Sequence, residues 1–136
     1  MEHPHIRGLS GWRLLSRGDS SAVWEASQTS LERLVAVKVF ERELGEADQR
    51  RFLREAAAVG RLSGHPGIVT THDAGVLPDD RPYLVVGLCP GGSVARWLEP
   101  GNRPSEEQVR HVGVRIADAL TVAHACGVLH GDVKPA

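Results

Sequence analysis

Apolar positions cluster into short runs in the first two thirds of the chain and into helical stripes thereafter. Leu34 to Phe40 is almost wholly aliphatic and rich in β-branched residues, which predicts a strand. Trp12 to Leu15 and Ala22 to Ala26 are shorter candidate strands on either side of the turn-forming Arg17-Gly18-Asp19-Ser20. Phe52, Ala56, Val59 and Leu62 recur at helical spacing, so a helix is expected from about Ala47 to Leu62. His65-Pro66-Gly67 ends it, because proline disfavours helical backbone at the residue before it. Two more strands are expected, Ile68 to Ala74 and Pro82 to Leu88, joined by Leu77-Pro78-Asp79-Asp80. After Pro90-Gly91-Gly92 the pattern turns helical. A short helix is expected over Ser93 to Leu98, and a longer one from Ser105, where Ser105 and Gln108 have capping-box spacing. Val109, Val112, Ile116, Leu120 and Ala123 form its apolar stripe, and Gly127 suits its C-terminal cap. Strands with one helix, followed by helices, predict an α+β fold of two packing units.

Two charges interrupt this pattern. Strand alternation puts Ala36, Lys38 and Phe40 on one face and Val35, Val37 and Val39 on the other, so Lys38 is a lone charge in an apolar strand. Glu55 falls three residues after Phe52 and four before Val59, on the stripe of its helix. A buried unpaired charge is costly, so the two either meet each other or share a ligand. Alternatively Lys38 snorkels to water and Glu55 sits on the rim of the stripe. Periodicity does not choose between these.

Composition narrows the class. The 136 residues carry a formal net charge of -1 with 24% charged and 41% hydrophobic residues, which suits one globular domain and points to no nucleic-acid or acidic-membrane partner. Two cysteines, Cys89 and Cys126, form no disulfide framework and read as free thiols. The first residues lack a signal-peptide pattern, and no apolar run reaches the ~20 residues of a spanning helix. A cytoplasmic location is therefore expected. His3 and His5 fall in a stretch expected to be disordered, while His72, His111 and His124 read as surface or packing residues. No metal site is expected among these histidines.

The order of motifs adds a resemblance. Val35-Ala36-Val37-Lys38 is similar to the V-A-I-K strand of protein kinases. Glu55, at 55 − 38 = 17 positions later, resembles the helix glutamate that pairs with that lysine. His65-Pro66-Gly67-Ile68-Val69 resembles H-P-N-I-V, and Arg81-Pro82-Tyr83-Leu84-Val85-Val86 resembles the fifth strand and gatekeeper. Pro90-Gly91-Gly92-Ser93 then follows the hinge, and His130-Gly131-Asp132-Val133-Lys134-Pro135 resembles H-R-D-L-K-P of the catalytic loop. Six such motifs in order, covering Trp12 to Ala136, resemble the eukaryotic-like (Hanks-type) serine/threonine kinases of bacteria.

This resemblance implies a kinase small lobe over residues 12–89, a five-stranded antiparallel sheet with one helix. A tail of residues 1–11 precedes it, and residues 90–136 form the hinge exit and the first helices of a large lobe. It implies ATP with Mg²⁺ as cofactor and protein serine or threonine hydroxyls as acceptor. Lys38 would hold the nucleotide phosphates and Glu55 would position it. Val23 and Ala36 would cover adenine, Val86 would be the gatekeeper, and the backbones of Gly87 and Cys89 would bind the base. Asp132 would orient the substrate hydroxyl and Lys134 would contact the transferring phosphoryl; His130 would pack beneath the loop. Ser16, Gly18 and Ser21 occupy the three glycine positions of the phosphate-covering loop, so that loop departs from the family pattern. Gly131 replaces the arginine of H-R-D, which implies independence from activation-loop phosphorylation. The family's magnesium ligands, an Asn and the Asp of D-F-G, are expected beyond Ala136, so the chain reads as an incomplete kinase that does not turn over alone. Two other classes remain in view. One is a pseudokinase or half-domain that acts as a binding module. The other is a small-molecule phosphotransferase of the aminoglycoside or choline kinase type, which shares His130-Gly131-Asp132.

Overall fold

A computed structural model describes residues 3–135. Five strands form one antiparallel sheet: β1 (Leu9–Arg17), β2 (Ser21–Gln28), β3 (Arg33–Phe40), β4 (Thr71–Val76) and β5 (Pro82–Gly87). Their order across the sheet is β1-β2-β3-β5-β4. Helix α1 (Glu46–Gly60) connects β3 to β4. A 3₁₀ turn (Val94–Leu98) and helix α2 (Glu106–Ala125) follow the sheet.

The alternation expected for β3 is realised. Val35, Val37 and Val39 are buried together with Ala22, Trp24 and Ala26 of β2, Leu77, and Val85 of β5. Each fully buried valine contributes about 1.5–3 kcal/mol by leaving water. This core lies on one face of the sheet, which leaves the opposite face free for other work. Among the described residues, 4–9 pack on the core instead of forming a tail. Pro4 is buried, Ile6 and Leu9 pack on the core, and β1 begins at Leu9. Trp12 explains this: its ring meets Trp24 edge-on at 6.5 Å while His3 stacks on it at 5.7 Å. The residues before Trp12 thus have an aromatic surface to cover.

Other boundaries shift for local reasons. β4 starts at Thr71, not Ile68, because the Ile68 amide closes the preceding turn by donating to the His65 carbonyl (3.1 Å). The capping box forms as expected. Gln108 N–H donates to Ser105 Oγ, and Ser105 N–H donates to Gln108 Oε1. Gly127 follows the last turn of α2 with φ +74°, the left-handed region that favours glycine. The apolar stripe of α2 is covered only in part. Ala119 and Ala123 are buried, whereas Val109 and Ile116 are exposed.

The loop between α1 and β4 rests on α2. His65 Nε2 lies 3.1 Å from Asp118 Oδ2, and His65 Nδ1 accepts from the Gly67 amide at 2.9 Å. That acceptor role fixes the proton on Nε2, facing the carboxylate. A side chain at Gly67 would come within 3.2 Å of Ala119 Cβ, so only a small residue lets the loop approach this closely. The sheet and the helical segment are thereby tied together.

Candidate active site

Cross-strand register places the site residues in rows on the sheet face opposite the core. Directly paired residues point to the same side. Ser16, Val23, Lys38 and Leu84 form one row across β1, β2, β3 and β5. Glu25, Ala36 and Val86 form the next, and Arg13 joins it through its ion pair with Glu25 (2.7 Å). Val23, Ala36, Lys38 and Val86 therefore share one surface. Leu84 belongs with them and was missed, although simple alternation in β5 assigns it.

The two hinge residues offer different backbone groups. The Gly87 amide donates to the Thr70 carbonyl (2.9 Å), so a ligand contact at Gly87 falls to its carbonyl. The Cys89 carbonyl accepts from the Gly92 amide (3.2 Å), which leaves the Cys89 amide for a ligand. Cys89 and Cys126 are both free thiols.

Between β1 and β2 the chain makes a tight hairpin turn, with the Gly18 amide donating to the Ser21 carbonyl at 2.9 Å. Gly18 does not adopt a left-handed conformation, and an added Cβ would lie 3.8 Å from its nearest neighbour, the Ser21 carbonyl oxygen. Glycine is thus not required here by space or by backbone strain.

The expected pairing of Lys38 with Glu55 is absent from this structure. Glu55 Oε1 instead accepts from Arg51 Nε one helical turn back, at 2.8 Å, and its side chain is 63% exposed. The Lys38 ammonium lies over the Phe40 ring, 5.0 Å from its centroid. The reason is the placement of α1, which leans on β4 and leaves a cavity of about 480 Å³ beside β3 and β5. Phe40, Phe52, Ala56, Val59 and Leu84 line that cavity, with Glu55 and His130 at its margin. The stripe assigned to Glu55 is real, but Glu55 occupies its wet edge. Arg51 at i−4 was visible in the sequence and supplies the competing cation.

At the far end, Lys134 Nζ lies 2.8 Å from Asp132 Oδ2. Lys134 holds the Asp132 carboxyl below the usual carboxylate range, first by this hydrogen bond and then by its charge, with smaller help from His130 and Lys38. His130 is exposed, not packed beneath the loop, and its Nδ1 accepts from the Asp132 amide at 3.2 Å. Gly131 between them has φ +74°, so an arginine in this conformation would be strained. Among the described residues no group of three carboxylate, histidine or cysteine side chains gathers to hold a metal ion. No helix among the described residues is long and apolar enough to cross a membrane.

A five-stranded antiparallel sheet with one connecting helix, a lysine on the face opposite the core and a His-Gly-Asp segment after α2 suit the class of kinase-like domains. Comparison with known proteins gives the family. Residues 11–136 match the protein kinase domain family, and the chain belongs to it. It is 41% identical over 128 residues to the serine/threonine-protein kinase PknK of Mycobacterium tuberculosis, an alignment that covers 94% of this chain and 12% of that protein. The probable serine/threonine-protein kinase SCO3848 of Streptomyces coelicolor is 34% identical, covering 90% of this chain and 19% of its own length. The DNA damage-responsive serine/threonine-protein kinase RqkA of Deinococcus radiodurans is 36% identical, covering 90% and 18%. The chain therefore spans less than a fifth of these relatives.

Proposed function

We propose that this chain is the ATP-binding portion of a kinase that phosphorylates serine and threonine in proteins. The observation that carries the reading is the row of Val23, Lys38 and Leu84 on the sheet face opposite the core, beside Ala36 and Val86. An apolar floor with one cation at its inner end suits an aromatic base followed by phosphates. The Gly87 carbonyl and the Cys89 amide add an acceptor and a donor two residues apart, complementary to the amino group and ring nitrogen on one edge of adenine.

In the transfer, the acceptor hydroxyl oxygen forms a bond to the γ-phosphorus while the bond to the ADP oxygen breaks. Asp132 takes the hydroxyl proton, and Lys134 neutralises charge on the phosphoryl oxygens. Lys134 holds Asp132 in its carboxylate form, which can accept a hydrogen bond from the substrate hydroxyl and orient it. Bound magnesium would neutralise further phosphate charge. Lys38 holds the phosphates, and inward movement of α1 brings Glu55 to it. Ser16, Gly18 and Ser21 cover the phosphates with one glycine where the family pattern has three. Protein acceptors belong to the same reading, which the names of the bacterial relatives support, and a cytoplasmic location completes it.

Titration with a fluorescent ATP analogue tests it. The chain binds the analogue, unlabelled ATP displaces it, and Lys38→Met weakens it at least tenfold while leaving the melting temperature close to wild type. Binding that is unaffected by Lys38→Met, or no binding at all, refutes the proposal.

A further inference from the structure

Beyond the hinge, a polar cavity of about 430 Å³ opens between the 3₁₀ turn and the start of α2. Arg96 and Arg103 line it, with Trp97, Asn102 and Gln108. Among the described residues neither guanidinium has a hydrogen-bond or ion-pair partner, in contrast to Arg13, Arg51 and Arg81, each of which is matched to a carboxylate. Glu99, Glu106 and Glu107 are the nearest carboxylates in sequence, and none of them pairs with either arginine. Side-chain amides are engaged in holding the rim instead. Asn102 Nδ2 donates to the Arg96 carbonyl (2.8 Å), and Gln108 Oε1 accepts from the Ser105 amide (2.8 Å). The Arg96 stem lies close to the Gly92 backbone, where an added Cβ would meet its Cδ at 3.7 Å.

The cavity is also tied to the catalytic loop. The Ala95 amide, next to Arg96, donates to the Pro135 carbonyl at 2.7 Å, three residues from Asp132. This bond joins the segment that carries Arg96 to the segment that carries Asp132.

We propose that Arg96 and Arg103 dock an acidic stretch of the protein substrate beside the phosphoacceptor. The identification of the occupant as a substrate rests on the kinase function proposed above. Planar guanidiniums without internal partners select carboxylates by bidentate hydrogen bonding. The indole of Trp97 supplies an apolar wall that a peptide's methylenes and backbone can cover and that a lone inorganic anion leaves unused. Carboxylates presented along an extended segment therefore match both the charge and the shape of the cavity. The site sets preference among substrates by charge complementarity.

Fluorescence anisotropy with three labelled serine peptides tests this, flanked by Glu/Asp, by Lys/Arg or by neutral residues. The 136-residue chain is used at about 50 mM salt, where surface charge is weakly screened. The acidic peptide binds best. Arg96→Ala and Arg103→Ala each weaken it about threefold to fivefold, the range of an exposed bidentate pair. The double variant Arg96→Glu/Arg103→Glu transfers the preference to the basic peptide. Arg54→Glu, on the outer face of α1, leaves the preference unchanged and controls for general charge effects. All three positions are exposed, and thermal melts verify that the variants fold. Equal binding of acidic and basic peptides, insensitivity to the double charge reversal, or displacement by inorganic phosphate as effective as by free acidic peptide overturns the inference. ATP-analogue binding is read on the same samples. Loss of peptide preference with intact nucleotide binding removes this docking site and leaves the kinase reading. Retained preference without nucleotide binding does the opposite.

Discussion

One chemical change, glycine to alanine, should have opposite effects at two positions. Gly75 of β4 lies directly across from Tyr83 of β5. A Cβ built on Gly75 would fall 2.5 Å from the Tyr83 hydroxyl oxygen, 2.6 Å from Cζ and 2.8 Å from Cε1. Ordinary carbon contacts are about 3.5–4.0 Å, so the ring must retreat by about 1 Å. Retreat is resisted because Tyr83 packs against the core, and burial already raises the pKa of its hydroxyl. Overpacking of this kind costs about 1–3 kcal/mol, which for a chain of this size lowers Tm by about 3–12 °C. Gly113 is the contrasting case. It lies within α2, and an added Cβ meets nothing within 4 Å. Alanine there relieves the entropic cost of a helical glycine and stabilises by about 0.5–1 kcal/mol. Thermal melts followed by circular dichroism compare Gly75→Ala, Gly113→Ala and wild type directly. Tyr83→Leu in the Gly75→Ala background removes the obstructing ring carbons and makes the added methyl nearly neutral, a coupling that a double-mutant cycle measures. A Gly75→Ala variant that melts at or above the wild-type temperature would show that the β4–β5 contact is not the close approach described.

Two further outcomes follow from local chemistry. Ser105→Ala removes the acceptor of the Gln108 amide (3.2 Å) and should cost about 0.5–2 kcal/mol, seen as lower Tm and lost helicity, whereas Ser105→Asp retains most of the stability. Lys134→Ala removes the hydrogen bond and charge that depress the Asp132 pKa, so the carboxyl should take up its proton at higher pH than in wild type. Carboxyl chemical shifts titrated by NMR report this, and an unchanged midpoint would mean that the ion pair does not persist in solution.

What could be read from the chain divides along the range of the interactions involved. Val35, Val37 and Val39 announce a buried face because strand alternation depends only on neighbouring residues, and all three are buried. The Ser105–Gln108 box is legible for the same reason, since both partners lie within one turn. The site rows were half legible. Ala36 and Lys38 are assigned by alternation in their own strand, but their alignment with Val23, Leu84 and Val86 requires the register of three strands. The amino-terminal segment was misread because its partner, the Trp12–Trp24 pair, is assembled only when β1 and β2 meet. The partner of Glu55 shows the limit most clearly. Helical spacing puts Glu55 on the edge of the stripe that carries Phe52 and Val59, but two cations can reach such a carboxylate. Arg51 takes it with both side chains largely in water, where an i,i+4 pair is worth only about 0.2–0.5 kcal/mol. Lys38 can take it only if α1 moves into the cavity that Phe40, Phe52 and Leu84 line, which buries apolar surface but desolvates two charges. The opposing terms are individually larger than the pair they would replace. Their balance depends on what fills the cavity and on what charge lies against Lys38, and neither is written in the spacing of two residues. A nucleotide that brings phosphate to Lys38 changes that balance directly, so the position of α1 is expected to respond to the ligand, while the faces of β3 are not.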